Sequence, residues 1–301
     1  MKKTLAMMTA AMMVAGALAG CGSSSSTPAA TTAAATEAVT TAAATEAATD
    51  AATTEAAGDT AAAAEGTVKT PSGKFTVGFD QEFPPMGFVG DDGQFTGFDL
   101  DLAKEVASRL GLEFVPQPIN WDAKDMELDS GNIDCIWNGF TMQGREDAYT
   151  WVGPYMANNQ VFVVNADSDI ASKADLAGKA VEVQKDSSGL AALQSETELS
   201  ASFGSMTEVA DYNTALMDLE SGACDAVCMD SIVAGYQIKS SGKDMKILDD
   251  TLSAEEYGIG FKKGEDELAK AVYDTLMEMK DDGTVAKISN DWFGSDVFTL
   301  K

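Results

Sequence analysis

From Lys74 onward, short apolar runs alternate with stretches whose apolar residues recur every three or four positions. The first kind reads as buried strand and the second as amphipathic helix. Lys74–Phe79 (KFTVGF) predicts a strand that breaks at Asp80, ahead of Pro84-Pro85, where no regular structure is expected. Asp99 is placed to cap a helix carrying Leu102, Ala103, Val106 and Leu110 on one face and ending at Gly111. Leu112–Val115 predicts a strand, Asp122–Ser130 a short helix closed by Gly131, and Ile133–Trp137 and Gln160–Val164 two further strands. The alternation then restarts. Strands are predicted over Lys179–Val183, Asp225–Met229 and Tyr257–Phe261. Gln184–Gly189 is a polar loop entering a helix, Tyr212–Ser221 is a helix, and Asp230 is placed to cap the next one. Two helices, Glu265–Lys280 and Thr284–Trp292, close the chain. Strand and helix in alternation predict an α/β architecture of parallel sheets with helices on both faces. Ligands of such sheets gather beyond the carboxyl ends of strands, and the polar clusters of this chain fall at such ends.

The first 66 residues depart from this pattern. Met1-Lys2-Lys3 is a short basic head, Leu5–Ala19 an apolar run, and Leu18-Ala19-Gly20-Cys21 follows. That order predicts a secretory signal over 1–20; the run falls short of the ~20 residues of a spanning helix. The LAGC tetrapeptide resembles the lipobox of bacterial lipoproteins, which implies cleavage before Cys21 and diacylglycerol on its sulfur, a stable anchor where several acyl chains act together. The alternative is an ordinary signal with an incidental cysteine. Residues 22–66 are almost all Ala, Thr, Ser, Glu, Asp and Gly, with a nine-residue repeat: AAATEAVTT (33–41), AAATEAATD (42–50), AATTEAAGD (51–59). Such a segment has too little apolar surface to offset its ordering entropy. It reads as a disordered tether over 21–66, with an r.m.s. span of ~35–40 Å. Thr67–Lys301 is then a folded domain large enough for a core in two lobes.

Composition narrows the chemistry. A formal charge of −28 argues against nucleic acid and anionic membrane as partners. The chain has no histidine, which removes Ser-His-Asp and Cys-His catalysis and the commonest zinc ligand. Beyond Cys21, Cys135, Cys224 and Cys228 sit in apolar settings in an odd number, which favours small buried hydrophobes over a disulfide or metal site.

Seven segments occur in order: KFTVGFDQEFPPMGF, GFDLDLAKEVASRLG, GNIDCIWNGFTMQGRED, KADLAGKAVEVQKDSSG, LESGACDAVCMDS, AEEYGIGFKKG and DDGTVAKISNDWFG. Together they resemble the polar amino-acid-binding proteins of ABC importers, extracellular solute-binding protein family 3, over essentially all of 74–295. The resemblance implies a two-lobe periplasmic-binding-protein type II fold, each lobe a mostly parallel sheet flanked by helices, joined by two crossing hinge strands. Lobe 1 would be about 68–157 and 254–301, lobe 2 about 158–253, with hinges near Tyr155–Asn159 and Ser253–Tyr257. It also implies that the lobes close over a free amino acid and deliver it to an ABC permease, with the protein monomeric, extracytoplasmic and held by its lipid. No cofactor, no metal and no catalytic residue is expected.

By the same resemblance, Arg145 is the ligand's carboxylate partner; a guanidinium offers the planar fork that a carboxylate accepts. It stands four residues after Thr141, where the glutamine- and histidine-binding patterns have five. Its alternative is a surface pair with Glu146 or Asp147. Thr141 would add a hydroxyl, Gly139 a carbonyl for the ammonium, and Asn138 lies beside them. Ser187 and Ser188 open a helix, where hydroxyls and N–H groups suit an anion and equally suit plain capping. Asp230 matches the ammonium-binding aspartate, or is only a helix cap. Asp80 would serve a donor on the ligand's side chain, or is only a turn residue. Phe83 and Trp121 match positions that sandwich the ligand's aliphatic part, whereas Trp137 is equally explained as core. Gln184 and Met229 replace the lysine and histidine of the glutamine-binding pattern, and Lys185 could supply compensating charge beside Asp80. Cationic or amide-bearing amino acids are therefore expected first. The rival expectations are a dehydratase-like enzyme on the same fold, with Glu82 or Asp80 as its acid or base, and an amino-acid sensor.

Overall fold

The computed structural model describes Thr70 and residues 72–301. The expected signal, lipidated cysteine and tether (1–66) lie outside the described residues. The chain runs through β1 (Lys74–Phe79), β2 (Glu82–Phe83), β3 (Gly87–Val89), β4 (Phe95–Thr96), α1 (Phe98–Leu110), β5 (Glu113–Pro118) and α2 (Lys124–Ser130). It continues with β6 (Cys135–Thr141), β7 (Tyr149–Asn165), β8 (Ala180–Gln184), α3 (Ser188–Ser195), α4 (Thr197–Ser202), β9 (Ser205–Val209), α5 (Tyr212–Ser221) and β10 (Ala226–Asp230). Last come α6 (Ser231–Ser241), β11 (Met245–Ile247), β12 (Ser253–Lys262), α7 (Asp266–Asp281) and α8 (Thr284–Phe293).

A nine-stranded sheet has the order β5-β1-β6-β12-β7-β10-β8-β9, with β11 on β7. Both ends of the sheet are parallel, as the alternation predicts: β5-β1-β6 on one side and β10-β8-β9 on the other. The middle is antiparallel, because β7 and β12 run against each other and against β6 and β10. These two long strands join the halves. Ser253 pairs with Gln160 and Tyr257 with Met156, so the two predicted hinge segments lie side by side.

β7 is 17 residues long, far longer than the predicted Gln160–Val164. Its first half hides behind Gly153-Pro154, which a strand interior disfavours. The register with β12 shifts between Tyr257 and Ile259. A bulge there lets one strand carry extra residues without losing its partner. Pro84-Pro85, expected to forbid regular structure, instead occupy the turn between β2 and β3 of a three-stranded sheet.

The predicted apolar face of α1 is buried: Leu102, Ala103 and Val106 have no exposed surface. Burying each large aliphatic side chain contributes about 1.5–3 kcal/mol. Asp99 does not cap this helix. Gly97 does, at φ 144°, in a place where a methyl group would meet the Met86 carbonyl oxygen at 2.2 Å. In the first turn, Asp99 is fully buried. The other end behaves as predicted, with Gly111 left-handed and donating to the carbonyls of Ala107 and Ser108. Trp137 is core, in the cluster with Phe75, Val77, Phe79 and Tyr155, and all three cysteines are buried and free.

Candidate functional site

The site grows from the end of β6. At Gly139 the backbone turns to φ 55°, and a side chain there would press on Phe83 and Tyr257 at 2.9 and 3.1 Å. Asp99 Oδ2 holds the bend, accepting from Gly139 N–H at 2.7 Å and from the Tyr155 hydroxyl at 2.8 Å. One residue earlier, Asn138 Oδ1 accepts from Asp80 N–H at 3.0 Å, tying the end of β6 to the end of β1. Past Thr141 a tight turn, closed by Arg145 N–H on the Met142 carbonyl at 3.0 Å, swings Arg145 back over the strand end.

The Arg145 guanidinium lies over the Phe140 ring at 5.1 Å and donates to the carbonyls of Thr141 (3.2 Å) and Asp186 (3.3 Å). Neither Glu146 nor Asp147 takes it. Among the described residues it has no carboxylate within ion-pair distance. A half-buried guanidinium with donors to spare and no counter-charge is suited to an incoming carboxylate.

The facing wall comes from the β8–α3 junction and the end of β10. Ser187 is the N-cap of α3, its hydroxyl accepting from Leu190 N–H at 3.0 Å. Ser188 is free of that duty and reaches Thr141 across the gap, hydroxyl to hydroxyl at 3.2 Å. Gln184 Nε2 donates to Asp80 Oδ2 at 2.6 Å and to the Ala210 carbonyl at 3.1 Å. Asp230 stands at the N-cap of α6 but makes no capping bond with its side chain. Its Oδ1 accepts from Asn158 Nδ2 and the Tyr257 hydroxyl, both at 2.7 Å, and its Oδ2 from the Tyr212 hydroxyl at 2.8 Å.

One narrow cleft is lined by Phe83, Trp121, Gly139, Thr141, Arg145, Gln184, Ser187, Ser188 and Asp230. The remaining two predicted site residues lie at its back and edge, Asn138 behind Asp80 and Asp80 against Gln184. Phe83 stacks on Tyr212 with ring centres 5.7 Å apart, and Trp121 stands edge-on to Phe140 at 5.5 Å. Past Asp80 and Trp121 a second cavity of about 670 Å³ opens, with Glu82, Asp122, Glu208, Asp211 and Lys185 on its walls.

Negative charge dominates the interior. Burial pushes the Asp80 carboxyl up to about 6, with the Glu82 N–H and Gln184 amide opposing. Burial also raises Asp99 to about 7 and Asp230 to about 7, the latter with Glu255 adding to the effect. Glu255 is itself buried on β12 and shares the Asn158 amide with Asp230. Two unit charges ~5 Å apart repel by ~3 kcal/mol at an effective dielectric of ~20.

The cations near the mouth are engaged elsewhere. Lys124, almost fully buried, pairs with Asp186 and donates to the Trp121 carbonyl at 3.3 Å. Lys185, expected as compensating charge beside Asp80, instead pairs with Asp122 at 2.5 Å on the exposed rim. Glu82 accepts from Asn213 across the same opening.

Sequence reasoning missed Asn158, Gln160, Tyr212, Tyr257 and Glu255, and took Asp99 for a cap. A signal existed for two of them. Gln160 is a polar residue opening a strand otherwise read as apolar, Asn158 lies in the predicted hinge just before it, and both are buried. Nothing in AEEYGIGF distinguishes buried Glu255 from exposed Glu256 before the register of β12 is known.

Comparison with known proteins agrees with this geometry. The profile of the bacterial extracellular solute-binding proteins, family 3, matches residues 75–295. The L-cystine-binding protein TcyJ of Escherichia coli (strain K12) is 33% identical over 231 residues, 75% of this chain and 84% of that protein. The L-cystine-binding protein TcyA of Bacillus subtilis (strain 168) is 32% identical over 229 residues, 75% and 83% of the two chains. Among solved structures, an ABC uptake transporter substrate-binding protein from Streptococcus pneumoniae with bound histidine superposes with a TM-score of 0.73 at 34% identity. That match covers 76% of this chain and 95% of the other. These relatives bind substrates and do not transform them. The chain belongs to the bacterial extracellular solute-binding proteins, family 3.

Proposed function

We propose that the protein captures a free polar amino acid in this cleft and hands it to an ABC permease. The observation that carries the reading is Arg145, a guanidinium with no counter-ion among the described residues, facing Asp230 across one cleft. A zwitterion satisfies both: its carboxylate meets the guanidinium and Thr141, its ammonium meets Asp230 and the Gly139 carbonyl. Each charge-assisted hydrogen bond contributes ~1.5–3 kcal/mol, so a few give micromolar binding.

The ligand's side chain then points toward Asp80 and Gln184 and the cavity beyond. Buried carboxylates there demand a hydrogen-bond donor or a cation, which favours cationic or amide-bearing amino acids over acidic or aliphatic ones. The ligands named for the relatives share this property. Arginine carries a guanidinium, histidine an imidazole, and the far half of cystine a second ammonium. Phe83 and Trp121 flank the aliphatic part.

Capture requires the walls to part, because Thr141 already touches Ser188 and Asp80 touches Gln184. With the lobes that the resemblance implies, lobe 1 about 68–157 and 254–301 and lobe 2 about 158–253, these contacts cross between lobes, and the paired segments Tyr155–Asn159 and Ser253–Tyr257 serve as the hinges. Lipid on Cys21 and the tether of residues 22–66 would hold a monomeric receptor at the outer face of the cell membrane.

A thermal-shift screen of the purified protein against the twenty amino acids and cystine tests the reading, since a ligand that binds only the native state must raise its apparent stability. Arg145→Ala and Asp230→Ala should each weaken binding of the best ligand by at least about 3 kcal/mol, more than a hundredfold. A screen with no stabilising amino acid, or variants that bind as tightly as the parent, would refute it.

A further inference from the structure

We infer that in the free protein Asp230, beside its buried neighbour Glu255, holds a proton that the ligand's ammonium displaces, so that capture of an amino acid releases a proton. The inference rests on the ammonium reading of Asp230 given above. It starts from one side chain, Asn158. Its Nδ2 lies 2.7 Å from Asp230 Oδ1 and 2.7 Å from Glu255 Oε1, so the two carboxylate oxygens are no farther apart than twice that distance. The amide has two hydrogens, one for each acid, and bridges them without contributing charge.

Among the described residues, the groups hydrogen-bonded to the pair or packed against it are neutral, and the one cation in view is Arg145 across the cleft. From β12 the Tyr257 hydroxyl donates to Asp230, and from α5 the Tyr212 hydroxyl does the same. From β7, Gln160 Nε2 donates to Glu255 at 3.0 Å, while Tyr155 packs against Tyr257 with ring centres 6.4 Å apart. From α3 the Ser188 hydroxyl donates to Glu255 at 3.4 Å. From β10 comes Cys228, whose thiol burial pushes far up. The guanidinium on the cleft wall, Arg145, is bonded to carbonyls of Thr141 and Asp186. With the nearest guanidinium across the cleft and bonded to carbonyls, a buried Glu255 held this close opposes the ionisation of Asp230. The upward shift of Asp230, with Glu255 the second cause after burial, agrees with that geometry.

An ammonium changes the arithmetic. It arrives already charged, takes the place of the carboxyl proton beside Asp230, and the proton leaves to solvent. The buried site carries one negative charge before and one after. Glu255, which does not line the cleft, thereby becomes a positioning residue acting through Asn158. It makes the site favour a ligand that brings its own positive charge.

Titration calorimetry decides this, with L-arginine, L-lysine, L-glutamine and L-cystine tried in turn on the purified chain at about pH 6, in two buffers of different ionisation heat. Approaching one proton should be released per ligand bound. As pH rises the dissociation constant should fall toward tenfold per pH unit through the range where Asp230 titrates, then level off. Asp80 titrates in the same range, so the assignment to the pair rests on Glu255→Gln. That variant keeps a side-chain acceptor for Asn158 and should release about one proton fewer with a flatter pH profile. Binding without proton release, or release unchanged in Glu255→Gln, overturns the inference while the ammonium reading of Asp230 stands. Failure of all amino acids to bind overturns both.

Discussion

Gly139 joins the strand end to the binding surface. Its φ of 55° belongs to the region that L residues enter at a cost of roughly 1–2 kcal/mol. An added methyl would also crowd the rings of Phe83 and Tyr257, which are boxed in by Tyr212 and Asp230. Overpacking of this kind costs about 1–3 kcal/mol. Gly139→Ala should therefore destabilise the protein by about 2–4 kcal/mol, measured as a shift in the urea midpoint at unchanged slope. A variant as stable as the parent would show that the bend is not needed. Among single residues, Arg145, Thr141 and Ser188 were singled out from side-chain chemistry and family resemblance, and all three line one cleft. Asp99 was not. An acid in the first turn of a helix looks the same in sequence whether it caps the helix or points inward, and only the approach of Gly139 and Tyr155 decides. Asp230 poses the reverse case, standing where a cap stands while its oxygens go to Asn158, Tyr212 and Tyr257.

Helices with both an apolar stripe and terminal signals were read almost to the residue. α5 matches its predicted span, with Gly222 left-handed at its end and Asp211 at its start. The Asp211 side chain accepts from Thr214 N–H at 2.7 Å, one of the orphan donors of the first turn. Asp211→Ala should cost about 1 kcal/mol, or about 2–4 °C in thermal midpoint for a domain of this size. Asp211→Ser should recover most of it; equal losses in both would point to charge rather than capping. The strands that escaped prediction have identifiable reasons. β9 is an edge strand with four exposed residues in SMTEV, so no apolar face marks it. β7 is obscured by Gly153-Pro154 and by Asn158 and Gln160, whose polar side chains are used at the site and not at the surface. The antiparallel middle of the sheet was not read, since alternation of strand and helix predicts parallel neighbours and the resemblance implied only two crossing strands.

For the molecule taken entire, the buried acids make pH a test of the architecture. Asp80 moves from an ordinary 3.8 up to about 6, and Asp99 and Asp230 to about 7. Between about pH 4 and 7 the native protein thus holds more protons than the unfolded chain, and stability falls as pH rises through that window. Mutual repulsion in a chain of net charge −28 acts in the same direction. Opposing acids sit at the surface. Asp282, held down to about 2 by Thr284 and Arg109, and Asp122, held down by Lys185, lose their contribution only in stronger acid. Urea unfolding of the free protein should show its highest midpoint near pH 4 and a decline toward pH 8, on the order of 2 kcal/mol from Asp80 alone. A midpoint that climbs steadily from pH 5 to 8 would mean that these carboxylates are ionised in the fold, and that the cleft is wetter than its geometry implies. Saturating ligand should flatten the decline, because an ammonium at Asp230 stabilises the ionised pair that the free protein disfavours. Acid and ligand then act on one buried charge from opposite sides, and the difference between the two curves measures how strongly capture is linked to the proton.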